Sequence, residues 1–282
     1  MKQVGILGYP LGHTLSPKIH EAGFKELNLS IKFKVWEVKP EKLNDKVKFL
    51  KSNDVLGFCV TLPHKFSIIS LIDEIDESAR EMNAVNWVVN NNGKLKGYNT
   101  DWVGFKESLS YFGKKITNQD CLILGAGGSA KAICMALIKE NANKIYIHNR
   151  TEKNVKDFVH NFRQINKDIQ IIDSKKINDK EFITSLDLII NTTSVGMQGG
   201  PDPENSPINT DNINKRALCY DLVYSPEITP FIEQAKHNNI ETIGGLTMLV
   251  FQAIEGFELV TGEKAPVIKM LEAVGITKKT ED

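Results

Sequence analysis

The chain has 282 residues, with 35 lysines and arginines set against 35 aspartates and glutamates. That length predicts two domains of the usual ~100–200 residues, each large enough to bury its own core. The balanced charge removes the bulk attraction on which nucleic-acid and anionic-membrane binding depend, so a small-molecule ligand is expected instead.

The amino terminus passes directly into an apolar, strand-like run, and no apolar stretch approaches the ~18 residues of a membrane span. Neither secretion nor a membrane partner is expected. Cys59, Cys121, Cys134 and Cys219 are scattered, form no CxxC pair and mostly lie in apolar runs, which predicts reduced thiols and a cytoplasmic protein.

Over the first hundred residues, short apolar runs at 4–7, 33–38, 56–60 and 85–89 alternate with helical patterns at 17–28, 40–51 and 66–81, the signature of an α/β domain. From Cys121 the alternation becomes more regular. Strands are expected at 144–148, 169–172, 186–190 and 217–223, with helix-length segments such as 151–162 between them, a doubly wound pattern. The segment 201–207 is rich in turn formers and reads as a loop. Helical spacing returns at 246–262 and 265–274, a carboxy-terminal portion expected to pack back on the first domain.

Between the strand that begins at Cys121 and the helix after it, Gly125, Gly127 and Ala130 hold the GxGxxA spacing, with Gly128 adding freedom and Ala126 and Ser129 completing the turn. Such a turn lets backbone approach a pyrophosphate, whose charge is met by unpaired N–H groups and the positive helix end. About 20 residues further on, NAD-selective folds place a carboxylate for the ribose hydroxyls, whereas this chain has Asn149-Arg150-Thr151. Arg150 is suited to a forked contact with a 2′-phosphate and Lys153 adds positive charge, so NADP is the expected cofactor. The competing reading makes Arg150 a solvated strand-end charge and Thr151 a helix cap.

Earlier in the chain, polar residues cluster beside strand ends in four blocks: 8–20, 59–65, 83–87 and 97–104. Thr14 and Ser16 precede a helix that Pro17 starts well, so their hydroxyls either cap it or meet a ligand carboxylate. Lys65 closely follows a buried-looking strand, a setting that suits a lysine to proton transfer, although most lysines are simply solvated. Asp101 alone reads as a helix cap, and Asn86 alone as a strand-end residue satisfying its own backbone. No reading attaches to Trp87.

In this order, the four blocks, the glycine loop, Asn149-Arg150-Thr151, and the segments 191–197, 221–224 and 244–253 resemble the shikimate dehydrogenase family across nearly the whole chain. The resemblance implies an α/β substrate domain (1–100 and 246–282), an inserted Rossmann-like NADP-binding domain (101–245), carboxy-terminal helices returning to the first, and a cleft at the junction. It implies reversible, NADP-dependent reduction of 3-dehydroshikimate to shikimate on the route to chorismate and the aromatic amino acids. By position in the matched blocks, Lys65 and Asp101 correspond to the catalytic pair. Ser16, Thr61, Asn86, Tyr224 and Gln252 correspond to shikimate contacts, Asp101 is also expected to hold a substrate hydroxyl, and Thr14 beside Ser16 is a further donor to the carboxylate. Leu222 and Gly245 correspond to positions near the nicotinamide, and no metal is implied. Thr14 stands where the family commonly has serine, and Cys59 where it usually has asparagine. The rivals are a quinate/shikimate dehydrogenase using NAD and a catalytically silent nucleotide-binding regulator. Charge and sequence pattern leave monomer and homodimer both open.

Overall fold

The computed structural model describes residues 1–12, 14–51, 54–162, 169–173 and 175–277. The chain divides into two compact units: Met1–Glu107 with the chain from Leu249 onward, and Ser108–Met248.

The first unit contains strands β1 (Lys2–Gly8), β2 (Ile31–Glu37), β3 (Val55–Val60), β4 (Glu74–Ile75), β5 (Trp87–Asn91) and β6 (Lys94–Tyr98). Its helices are α1 (Ser16–Glu26), α2 (Leu43–Lys51), α3 (Glu77–Met82) and the start of α4 (Asp101–Tyr111). The strands form one mixed sheet in the order β2-β1-β3-β5-β6-β4, with β1, β2 and β3 parallel and β5 antiparallel to both its neighbours. β1 and β3 are central and nearly continuously buried, as their unbroken apolar sequences require. One face of the sheet sends Leu7, Phe58, Val60 and Val88 into a core closed by Val47 and Leu50 of α2.

The second unit holds β7 (Asp120–Leu124), β8 (Lys144–His148), β9 (Ile169–Ile171), β10 (Leu188–Asn191), β11 (Leu218–Asp221) and β12 (Glu241–Gly244). Its helices are α5 (Gly128–Lys139), α6 (Glu152–Phe162), α7 (Lys180–Thr184) and α8 (Pro230–His237). All six strands are parallel, in the order β12-β11-β10-β7-β8-β9. Connections running outward in opposite directions from β7 and β10 make this a doubly wound sheet. Leu122, Leu124, Ile189 and Cys219 meet Phe182 of α7 and Phe231 of α8 on one face.

The last two helices, α9 (Leu246–Thr261) and α10 (Val267–Glu272), take the chain back into the first unit. There glycines on the other sheet face and on α1 make room for helix side chains. A Cβ at Gly57 would lie 2.6 Å from Val260 of α9, and one at Gly23 of α1 would lie 2.8 Å from Phe257. Trp87, unread in the sequence, lies on α9 at Gly256, where any Cβ would fall 2.0 Å from the indole. Beside it His20 is fully buried, stacked 4.9 Å from Phe33 and edge-on 5.4 Å from Trp87. Among the described residues, neither ring nitrogen of His20 nor the indole nitrogen has a hydrogen-bond partner. Burial lowers the His20 pKa to about 3, so the ring is neutral.

The expected helix 66–81 is instead a 3₁₀ turn (Ser67–Leu71), the short strand β4 and α3. Two aspartates explain the break. Asp73 accepts from the Leu95 amide at 2.7 Å and pairs with Lys51, drawing the segment alongside β6, while Asp76 restarts the helix by accepting from the Ser78 amide. The hairpin strand β6 has no counterpart among the expected elements. Asn92 and Gly93, both at positive φ, provide its turn. β5 begins at Trp87 because Ala84–Asn86 belongs to the connection that supports the site.

Candidate active site

Lys65 lies on the connection after β3. The turn is held by His64, whose Nε2 is 2.6 Å from the Val38 carbonyl oxygen, and by the Val85 amide, which donates to the Lys65 carbonyl at 2.8 Å. From this mount the Lys65 ammonium donates to Asp101 Oδ2 at 2.6 Å, with side chains only 18% and 10% exposed. Two charges so withdrawn from water depend on each other, and removing one would strand the other.

Asp101 opens α4, but its carboxylate is occupied elsewhere, by Lys65 and by Asn86 Nδ2, which donates to Oδ1 at 2.8 Å. Asn86 is 2% exposed and uses its whole amide: Oδ1 accepts from the Thr100 amide at 2.6 Å, and Nδ2 also donates to Thr100 Oγ1 at 3.0 Å. The Thr100 hydroxyl donates onward to the Gln252 carbonyl of α9 at 2.9 Å, while Gln252 Oε1 accepts from Asn86 at 3.5 Å. Asn99 completes the corner by accepting from the Asp101 amide and donating to the Ala84 carbonyl. Lys65, Asp101, Asn86 and Gln252 thus form one bonded cluster. Thr100 and Asn99, unread as functional in the sequence, are its connectors.

Cys59, at the end of β3, adjoins the cluster and the start of α1. Burial pushes its thiol up to about 12, opposed by its own backbone amide, by the Ser16 hydroxyl and by the Lys65 ammonium, so it remains a thiol at neutral pH. Ser16 begins α1 without a side-chain cap. Its amide donates to Thr14 Oγ1 at 3.3 Å, and the Thr14 hydroxyl donates to Ser16 Oγ at 3.2 Å. Thr61 is half-buried beside β1, its amide donating to the Leu7 carbonyl at 2.9 Å. Tyr224 belongs to the other unit, after β11, where burial raises its phenol.

In the second unit Gly125 follows β7 at φ +116°, and its amide donates to the His148 carbonyl at 2.8 Å. A Cβ there would lie 2.4 Å from Thr192 Oγ1, so sterics and backbone conformation both demand glycine. Gly127 and Gly128 face open space, and Gly127 starts α5 with no side-chain cap. Uncapped N–H groups at the positive end of a helix, with nothing shielding them, fit a pyrophosphate. Arg150, Thr151 and Lys153 are exposed after β8, where Asn149 Nδ2 donates to the Thr151 carbonyl at 3.1 Å. Positions 149–151 carry no carboxylate, and their chemistry fits a phosphate on the ribose. Leu222 donates its amide to the Asn191 carbonyl at 2.9 Å, and a Cβ at Gly245 would fall 2.1 Å from the Leu222 carbonyl oxygen. Among the described residues no group of three or more His, Cys, Asp and Glu side chains could hold a metal, and no helix is long and apolar enough to cross a membrane.

The family model of the shikimate dehydrogenase substrate binding domain matches residues 6–88, and that of shikimate / quinate 5-dehydrogenase matches residues 107–248. The shikimate dehydrogenase (NADP(+)) of Caldanaerobacter subterraneus subsp. tengcongensis is 42% identical over 262 residues, covering 93% of this chain and 92% of that protein. Among solved structures, shikimate 5-dehydrogenase from Thermus thermophilus in complex with NADP(H) and shikimate superposes with a TM-score of 0.87 at 30% identity, covering 97% of this chain and 98% of that one. The 5-ketofructose reductase of Gluconobacter sp. strain CHM43 reaches 0.85 at 30% identity, with 97% of each chain covered. These matches define a two-domain α/β dehydrogenase scaffold. The chain belongs to the shikimate dehydrogenase family.

Proposed function

We propose that this chain is an NADP-dependent shikimate dehydrogenase, interconverting 3-dehydroshikimate and shikimate on the route to chorismate and the aromatic amino acids. The observation that carries this reading is the Lys65–Asp101 pair, held by the fully committed amide of Asn86. When bound, the reduced cofactor supplies the hydride. Lys65, as an ammonium, gives its proton to the carbonyl oxygen as that oxygen gains charge; in the reverse direction the neutral amine takes the hydroxyl proton. Asp101 holds Lys65 in place through one oxygen, and Asn86 fixes Asp101 through the other.

Ser16 and Thr14 offer hydroxyls to the substrate carboxylate, while Thr61, Asn86 and Gln252 line the ring-hydroxyl side. Gly125, Ala126, Gly127, Gly128 and Ser129 take the pyrophosphate, and Arg150, aided by Asn149, Thr151 and Lys153, takes the 2′-phosphate. A cytoplasmic setting is supported by four cysteines that are all buried and free.

A scaffold shared with a 5-ketofructose reductase does not fix the substrate, so the test compares substrates directly. Reduced-nicotinamide absorbance is followed with shikimate or quinate, each with NADP or NAD. Fastest turnover with shikimate and NADP is expected. Preference for quinate or NAD would overturn the substrate or the cofactor assignment, and silence in all four mixtures would favour the non-catalytic binder.

A further inference from the structure

Asp221, the last residue of β11, is fully buried, and among the described residues three groups hydrogen-bond to it, none of them a cation. Burial pushes its carboxyl up to about 6, against the pull of Thr229, the Val223 amide and Asn191. A carboxylate kept ionised at such a cost by neutral donors alone calls for an explanation beyond stability.

Its three donors come from three separate segments. Asn191 Nδ2, at the end of β10, donates to Oδ1 at 2.9 Å, and the Val223 amide donates to the same oxygen at 3.0 Å. Thr229 Oγ1 donates to Oδ2 at 2.6 Å while capping α8 through the Ile232 amide. Asn191 extends the web: its Oδ1 accepts from the amide and hydroxyl of Thr193, and its carbonyl accepts from the Leu222 amide. Next to Thr193, Thr192 donates to the Leu124 carbonyl and fills the space against Gly125. One carboxylate therefore holds the strand-end segments after β10 and β11, and the residue that follows its partner Asn191, Thr192, abuts the glycine loop after β7.

The sheet order gives this web its meaning. Strand order reverses between β7 and β10, and dinucleotides bind at the carboxyl ends of strands at such a switch point. Arg150 and Lys153 mark the β8 side for the phosphorylated adenosine half. The other half must then run over the ends of β10 and β11, the ground that Asp221 organises.

We propose that Asp221 is a positioning residue for the nicotinamide half of the cofactor, acting through the segments at 192–195 and 222–224 rather than by touching the cofactor. This rests on the reading of the chain as an NADP-dependent enzyme. Asp221→Asn keeps the shape but puts an amide N–H where donors converge.

The test measures binding of NADPH and of adenosine 2′,5′-bisphosphate, the fragment lacking the nicotinamide, to the full chain and to the variant. Because buried donors are left unmatched, the variant is expected to lose NADPH affinity about tenfold or more while its affinity for the fragment stays within about twofold. Equal loss of both ligands would reduce Asp221 to a folding role, and loss of neither would remove it from cofactor binding, either result overturning the proposal. If wild type binds neither ligand, the cofactor reading itself fails, an outcome distinct from failure of the variant comparison. Should Asp221→Asn not fold, Thr229→Ala removes one donor while keeping the carboxylate. The same selective loss is expected, with Thr229→Ser restoring NADPH affinity, and absence of that selectivity overturns the proposal.

Discussion

The two units build their candidate sites in opposite ways. In the first, Lys65, Asp101, Asn86, Thr100 and Gln252 satisfy one another in a closed polar network, the arrangement that the proposed proton transfer by Lys65 requires. In the second, backbone is left unsatisfied: Gly127 opens α5 without a cap, and Gly127 and Gly128 present no side chain to the space in front of it. A closed polar network suits the reacting atoms, where displacement by a fraction of an ångström slows chemistry. An open helix end suits an anion that must enter and leave.

The largest expected effect breaks the first site alone. Lys65→Ala should lower kcat with shikimate by ~10²–10⁴-fold, the usual contribution of a positioned acid or base. NADPH affinity, measured separately by titration, should stay near the wild-type value; parallel loss of both would make Lys65 structural.

Why the glycine loop stands out in the sequence, and Thr100 does not, follows from where their partners lie. Glycine spacing, the long apolar strands of the second unit and the arginine after β8 are local signals, legible in a window of residues. Thr100 matters because its hydroxyl meets the Gln252 carbonyl 152 positions away, and no local pattern encodes that. Lys65 and Asp101 stand out only through the order of motifs around them, since singly each reads as an ordinary surface lysine or helix cap. The segment 66–81 misleads for the opposite reason. Its composition is helical, yet Asp73 finds its partners in β6 and Lys51, and those tertiary bonds outweigh propensity. The β5–β6 hairpin is missing from the expected elements although Asn92-Gly93 is a strong hairpin signal. Trp87 makes sense only beside Gly256, far along the chain.

Acid should separate the units next. His20 in the first unit has its folded pKa lowered from 6.5 to about 3, so below pH 6.5 the unfolded chain takes up a proton that the folded chain refuses, and stability falls as pH drops. Asp221 in the second unit has its folded pKa raised from 3.8 to about 6, so the cost of burying its charge is relieved as pH falls through 6. At pH 5, His20→Phe should recover about 2 kcal/mol that the wild-type first unit has lost relative to pH 7. Because Trp36, Trp87 and Trp102 all lie in the first unit, denaturant melts read by tryptophan fluorescence follow that unit. An equal acid loss in wild type and variant would remove His20 from the account.

The smallest effect sharpens the second site. Arg150→Ala should weaken NADPH binding about tenfold, one charge-assisted contact at an exposed position, and leave NADH binding unchanged. Equal weakening of both would return Arg150 to a solvated strand-end charge.

The four free cysteines also give the molecule an internal clock for its own opening. Burial holds each thiol in its unreactive form, with Cys121, Cys134 and Cys219 in the second unit and Cys59 in the first. A thiol-specific reagent therefore modifies the native protein only as fast as the surrounding structure breathes. Assigning each modified peptide to its cysteine turns that rate into a separate opening frequency for each unit, and on the proposed cofactor site saturating NADP should slow only the three thiols of the second unit.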